Sequence, residues 1–146
     1  MSGVSGSESI KGQTPMIRKS RVRRIEKPLT ATELEMMNVI WRLGPCSVLQ
    51  VVEQLRPERE LAYTSVSTIV RILEQKGYVT SSKEGRGHLY QAAVSKEEYQ
   101  RSTVQRLVTS VFDNAPALLV RRLLDSESLS ADDLDEIRAL LRKKGS

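Results

Sequence analysis

The chain has 146 residues, a length that fits one compact domain or a small domain with an appended helical element. Aromatic residues make up only 4% of it, so its core must be aliphatic, and no run of about 18 apolar residues could span a membrane. Because the N-terminus also lacks the apolar core of a secretory signal, we expect a soluble, cytoplasmic protein with no membrane partner.

The whole net charge of +5 is located in the N-terminal tail. Residues 1–28 carry seven Lys or Arg against two acids, whereas residues 29–94 and 95–146 are each neutral. The tail is rich in Ser and Gly and has no apolar period, so we predict that it is disordered. The segment Arg18–Arg24 could contact phosphates or the minor groove of DNA. A leader, or a false start upstream of Met16, is the favoured alternative.

Chemistry-bearing residues are sparse. Cys46 is the only cysteine and His88 the only histidine, so we expect no intrachain disulfide and no metal site. We find no nucleophile motif, no phosphate-binding glycine loop and no metal-ligand spacing. The acidic run in residues 132–136 is interpreted as the start of a helix, where acids complement the dipole. The sequence therefore predicts neither an enzyme nor a cofactor.

Two amphipathic helices are predicted directly after the tail. The first begins at a capping box of Thr30 and Glu33, and Gly44-Pro45 ends it. The second begins at a capping box of Ser47 and Gln50. Their apolar stripes consist of Leu34, Met37, Ile40 and Trp41 in the first helix and of Val48, Val51, Val52 and Leu55 in the second.

The third predicted helix, within residues 61–77 (LAYTSVSTIVRILEQKG), has two contrasting faces. One face carries a regular apolar stripe of Val66, Ile69, Val70 and Leu73. The opposite face carries short hydroxyl side chains and one Arg, a composition suited to lying against a DNA groove. A solvated face is the alternative, but such a face usually carries Glu and Lys.

A hairpin is predicted from Tyr78 onward, with its tip at Glu84-Gly85-Arg86-Gly87. Both glycines are expected to supply positive φ angles, and Tyr78-Val79 and Leu89-Tyr90 to anchor the hairpin to the core. Three helices and a hairpin predict a winged helix-turn-helix over residues 29–94. Its expected DNA-binding residues are Tyr63, Thr64, Ser65, Ser67, Thr68, Arg71 and Arg86.

Three further helices are predicted in residues 95–146. The first opens with Ser95 and Glu98, the second with Pro116, and the third with Ser130 and Asp133. The first is expected to carry Tyr99, Thr103, Leu107, Val111 and Phe112 on one side. This region is too small to be a stable monomeric domain, so we expect a second copy to complete it. Packing of these helices back onto the winged helix is the alternative. The expected dimerisation residues are Leu107, Val111, Leu119, Leu123, Leu134, Ile137 and Leu141.

From Leu29 to Lys143 the chain resembles the BlaI/MecI penicillinase-repressor family of bacterial transcription regulators. The resemblance is carried by LTATELEMMNVIWRLGP, LAYTSVSTIVRILEQKGYV, GRGHLYQAAVSKEEY and LSADDLDEIRALL. It implies a mainly helical homodimer with a winged helix and a C-terminal dimerisation region, which binds an inverted-repeat operator and represses a nearby promoter. It implies DNA contacts at Thr64, Ser65, Ser67, Thr68, Arg71 and Arg86.

Two departures from the family concern the signal that releases repression. Members that respond to β-lactams are cleaved at an Asn-Phe bond, but this chain has none, and Arg106-Leu107 occupies the equivalent position. Copper-responsive members carry a C-terminal cysteine cluster, which is also missing. The inducer and any regulatory protease or sensor are therefore unidentified. The alternatives to a repressor are a winged-helix module that binds another protein without specific DNA binding, and a small-ligand sensor.

Overall fold

The computed structural model describes residues 27–145, and the predicted disorder of the tail falls almost entirely outside them. The described part of the chain is mainly helical, with one antiparallel two-stranded sheet. The elements are α1 (Ala31–Leu43), α2 (Val48–Leu55), α3 (Tyr63–Gln75), β1 (Val79–Glu84), β2 (Gly87–Ala92), α4 (Lys96–Ser110), α5 (Pro116–Asp125) and α6 (Ala131–Gly145). No helix in this part is both long and apolar enough to cross a membrane.

All four predicted capping boxes are present. In α1 the amide of Glu33 donates to Thr30 Oγ1 over 3.2 Å, and the Thr30 amide donates to Glu33 Oε1 over 3.0 Å. Ser47 with Gln50, Ser95 with Glu98 and Ser130 with Asp133 form the same reciprocal pairs. Each pair satisfies amides that would otherwise have no partner in the first turn, which fixes where each helix begins.

The core of the winged helix lies between α1, α2, α3 and the hairpin. The buried face of α1 is broader than the single predicted stripe, because α1 packs against α2, α3 and β2 at the same time. Met36 and Val39 are buried with Met37 and Ile40, whereas Leu34 and Trp41 are only half-buried. The Trp41 indole N–H donates to the carbonyl of Val94 over 2.9 Å, which provides the polar partner that a half-buried indole needs.

The hairpin joins the helices through backbone hydrogen bonds. Tyr90 in β2 and Cys46, between α1 and α2, exchange two N–H···O bonds of 2.9 and 2.7 Å. The strands pair from Val79 with Ala92 to Glu84 with Gly87, which leaves a two-residue turn. Only its first residue, Gly85, has a positive φ of 59°. The expectation for Gly87 was wrong, since Gly87 already belongs to β2.

The described chain divides into two compact units between Thr103 and Val104. The first part of α4 belongs to the winged-helix unit, because the Tyr99 ring contacts the rings of Trp41 and Tyr78 and its hydroxyl accepts from the Leu29 amide. In the second unit, α5 and α6 contain no buried residue.

α4 ends at Ser110, so Val111 and Phe112 lie in a turn and do not extend the helical stripe as predicted. Asp113 and Asn114 have positive φ angles of 53° and 61°, and the Asn114 amide donates to the Val108 carbonyl over 2.8 Å. Asp and Asn tolerate this left-handed conformation better than other non-glycine residues. The helix is therefore closed before Pro116, which opens α5 as expected.

Candidate nucleic-acid interface

The two faces of α3 are separated as the sequence predicted. Val66, Val70 and Leu73 are buried in the core, which turns the opposite side of the helix outward. Five of the expected site residues there are exposed and Ser67 is half-buried; the exposed ones are Tyr63, Thr64, Ser65, Thr68 and Arg71. Tyr63, at the start of the helix, leaves 53% of its surface accessible. The structure thus brings six of the seven expected residues together on one helix.

Hydrogen bonds along α3 determine which groups of Thr68 and Ser67 can still donate to or accept from an outside partner. Thr68 Oγ1 donates to the carbonyl of Thr64 over 2.9 Å, so its hydroxyl offers lone pairs and its methyl group to an outside partner. Arg71 Nη2 donates to Ser67 Oγ over 3.2 Å, which leaves the Ser67 hydroxyl proton free to donate. The face therefore combines donors, acceptors and methyl groups over two helical turns.

Among the described residues, no side chain caps the N-terminus of α3, where Ala62 occupies the N-cap position. In contrast, α1 and α2 begin with reciprocal capping boxes. Free amides at the start of a helix carry partial positive charge and can donate to an anion such as a phosphate. The first turn of α3 is therefore chemically suited to contact a phosphate backbone.

Two polar contacts that no sequence pattern predicts hold the C-terminal end of α3. Lys76 Nζ lies 2.6 Å from Glu33 Oε1 in α1, and Ser81 Oγ in β1 donates to Glu74 Oε2 over 2.7 Å. Burial alone raises the pKa of Glu33, but hydrogen bonds from Lys76 and Thr30 and the charge of Lys76 bring that pKa below its ordinary value. The sequence predicts Glu33 only as a capping residue. No residue close to Glu33 in the sequence indicates its second partner, Lys76.

Arg86 is carried by a different element, the exposed two-residue turn of the hairpin. Lys83 and His88 form an exposed cross-strand pair beside this turn, and the His88 ring lies 6.4 Å from the Tyr90 ring. The tip of the hairpin therefore presents Lys83, Arg86 and His88 to solvent, and the acidic Glu84 is exposed beside them.

The expected dimerisation residues lie on α4, α5, α6 and the turn after α4. Leu119, Leu134 and Ile137 are half-buried, whereas Leu107, Val111, Leu123 and Leu141 are exposed. An open apolar groove on α5 is lined by Ala117, Val120, Arg121, Leu124 and Asp125. This unit therefore leaves several large aliphatic side chains exposed to water, a feature typical of interaction surfaces.

The part of the chain that the structure describes contains no group of three or more His, Cys, Asp or Glu residues able to hold a metal ion. Cys46 is buried in the core, and burial raises the pKa of its thiol, which lowers its reactivity. Cys46 acts in the fold through its backbone pairing with Tyr90.

Sequence comparison with known proteins finds relatives over most of the chain. The family model described as penicillinase repressor matches residues 29–143. The methicillin resistance regulatory protein MecI of Mammaliicoccus sciuri is 25% identical over 116 residues, which cover 80% of this chain and 94% of MecI. The penicillinase repressor of Bacillus licheniformis is 22% identical, over 79% of this chain and 90% of that protein.

Among solved structures, the monomeric form of Bacillus licheniformis BlaI in complex with the blaP half-operator is 26% identical, with a TM-score of 0.44. It covers 50% of this chain, and the match spans 89% of the BlaI chain. The family model matches most of the chain, over the residues that form the winged helix and the helices after it. The chain therefore belongs to the penicillinase repressor family of DNA-binding transcriptional repressors.

Proposed function

We propose that this protein represses transcription in the cytoplasm as a homodimer that binds an inverted-repeat operator. One winged helix lies on each half-site, so that the two-fold axis of the protein coincides with that of the DNA. The observation that carries this proposal is the outward face of α3, which presents hydroxyl groups and Arg71, a residue that forms no salt bridge with the described acids.

The chemistry of α3 favours DNA over a purely solvated surface. Residues 63–73 contain no Asp or Glu, and the first acid, Glu74, accepts a hydrogen bond from Ser81. A carboxylate on this face would repel phosphates. Short hydroxyl side chains allow the helix backbone to come close to base edges, and the uncapped first turn can receive a phosphate.

Dimerisation would supply affinity that one folded unit lacks. Residues 29–146 carry no net charge, so a single winged helix gains little from long-range attraction to DNA. Two linked winged helices bind a palindrome with a high effective concentration for the second contact. Separation of the subunits would then release the operator.

The C-terminal helices are the proposed dimerisation region. α5 and α6 bury none of their residues within the described chain, although both carry aliphatic stripes. Leu141 is 66% exposed and Leu123 45% exposed. A self-complementary contact between two copies would remove this surface from water, which stabilises the pair by about 25 cal/mol for each Å² of apolar area.

An anisotropy titration tests the proposal. The promoter upstream of the protein's own gene is compared with a scrambled duplex at two salt concentrations. We expect tight binding to the promoter alone, with two chains per duplex. Equal, weak binding to both duplexes that disappears with salt would assign the contact to the basic tail and contradict the proposal.

A further inference from the structure

Arg71, the arginine of α3, donates a hydrogen bond to a neutral hydroxyl group, that of Ser67. Four other arginines of the described chain form salt bridges with acids, as Arg59 does with Glu35 and Arg138 with Asp135. No carboxylate of the described residues forms a salt bridge with Arg71, and Glu74, the nearest acid along α3, accepts from Ser81. The charge of Arg71 is therefore available to an outside group.

The hydrogen bond to Ser67 also decides where the guanidinium lies. Helical side chains point back toward the N-terminus, and Ser67 is one turn before Arg71. The bond therefore places the guanidinium about one helical turn, roughly 5 Å along the helix axis, toward the N-terminus from the Cα atom of Arg71. That half is the part of a recognition helix that reaches base edges.

The donors that remain on this pair match one base. Guanidinium has five N–H donors and Ser67 uses one of them, so the others can still meet two acceptors side by side. In the major groove guanine alone presents two acceptors, N7 and O6, on one base. Thymine and adenine each present one acceptor, and cytosine presents a donor.

We infer that Arg71 reads a guanine in each half-site and that Ser67 is the residue that positions it. This inference rests on the proposed function and names the base that its recognition helix requires. Ser67 acts through Arg71, so its removal should relax the preference for guanine at one position and leave the rest of the site unchanged.

The experiment begins with selection of binding sites from a random duplex pool by the full-length wild-type protein. The same selection is repeated with Ser67→Ala, Ser67→Thr and Arg71→Lys. Alanine has a higher helix propensity than serine, so Ser67→Ala should keep α3 intact, which circular dichroism checks. Threonine keeps the hydroxyl that accepts from Arg71, and lysine keeps the charge without the planar fork.

We expect the wild type to prefer one G·C pair per half-site by roughly 5- to 150-fold over A·T. Ser67→Ala should reduce that preference by about 3- to 10-fold, as expected for the loss of one hydrogen bond. Ser67→Thr keeps the hydroxyl group and should therefore keep the wild-type preference. Arg71→Lys should lose most of it. In titrations of the selected duplex, replacing that guanine by 7-deazaguanine should weaken DNA binding by the wild type more than it weakens DNA binding by the Ser67→Ala variant.

Each other outcome is decisive. Unchanged guanine preference in Ser67→Ala overturns the positioning role. If Arg71→Lys and Ser67→Ala weaken all sequences equally, and a methylphosphonate reproduces the loss while 7-deazaguanine does not, Arg71 contacts phosphate and the guanine assignment is wrong. A wild-type protein that selects no sequence overturns the proposed function, and this inference falls with it.

Discussion

Replacement of Lys76 by Met would remove the ion pair that joins the end of α3 to the start of α1. Lys76 Nζ lies 2.6 Å from Glu33 Oε1 and 3.4 Å from the carbonyl of Pro28. The two charged side chains are 20% and 10% exposed. Methionine is unbranched and only one heavy atom shorter than lysine, so it keeps most of the apolar stem, and the substitution mainly removes charge and hydrogen bonds.

The expected loss of stability follows from this burial. Removing one partner of a fully buried ion pair costs about 3–5 kcal/mol, because the other charge is left without compensation. Since Lys76 keeps one-fifth of its surface in water, solvent can partly replace it. We therefore expect Lys76→Met to lower the free energy of unfolding by about 1–3 kcal/mol at neutral pH.

The effect should depend on pH in a defined direction. The folded pKa of Glu33 lies below its ordinary value, so its stabilisation is present above the unfolded pKa of about 4.3. It is lost as the pH falls through the lowered folded pKa. In Lys76→Met, burial still raises the pKa of Glu33 while the contribution of Lys76 is gone, so this pKa should rise. The free energies of unfolding of the wild type and of Lys76→Met should therefore become more similar as the pH falls.

Urea unfolding followed by Trp41 fluorescence measures these differences at neutral and acidic pH. Lys83→Met, the same change at an exposed position in β1, is the matched control and should shift stability by less than about 0.5 kcal/mol. A double cycle with Glu33→Gln isolates the pair. If Lys76→Met and Lys83→Met were equally stable, or if the loss did not decrease in acid, the ion pair would not be the cause.

Three further substitutions test other parts of the structure. Arg71→Ala should cost about 1–3 kcal/mol of specific DNA binding if the guanidinium meets a base, and an unchanged anisotropy titration would remove that role. Leu134→Asp combined with Leu141→Asp should give monomers with much weaker operator binding, since two charges would enter an apolar interface. Sedimentation checks this, and surviving dimers would refute the interface. Gly85→Ala should destabilise the hairpin by about 1–2 kcal/mol because of the positive φ at this residue. A melting temperature equal to that of Ser82→Ala, an exposed change in β1, would contradict it.

The local features of this protein were predictable from the sequence alone. A capping box needs residues three positions apart, and the helices begin where Thr30, Ser47, Ser95 and Ser130 predicted. The hydroxyl face of α3 was predictable because a 3.6-residue period assigns each side chain to a face. Resemblance to the repressor family was recognised from the same segments, and the comparisons confirm it.

Contacts between distant segments were decided only by the tertiary structure. Glu33 and Lys76 are 43 residues apart, and neither has a neighbour in sequence that indicates the other. The pairing of Cys46 with Tyr90, and the burial of Met36, depend on how α1 meets the hairpin and two helices together. The position of Val111 depends on the left-handed residues after α4, which compete with the helical period. Periodicity registers interactions within about one turn of helix, whereas these features result from packing between elements that the chain brings together only when it folds.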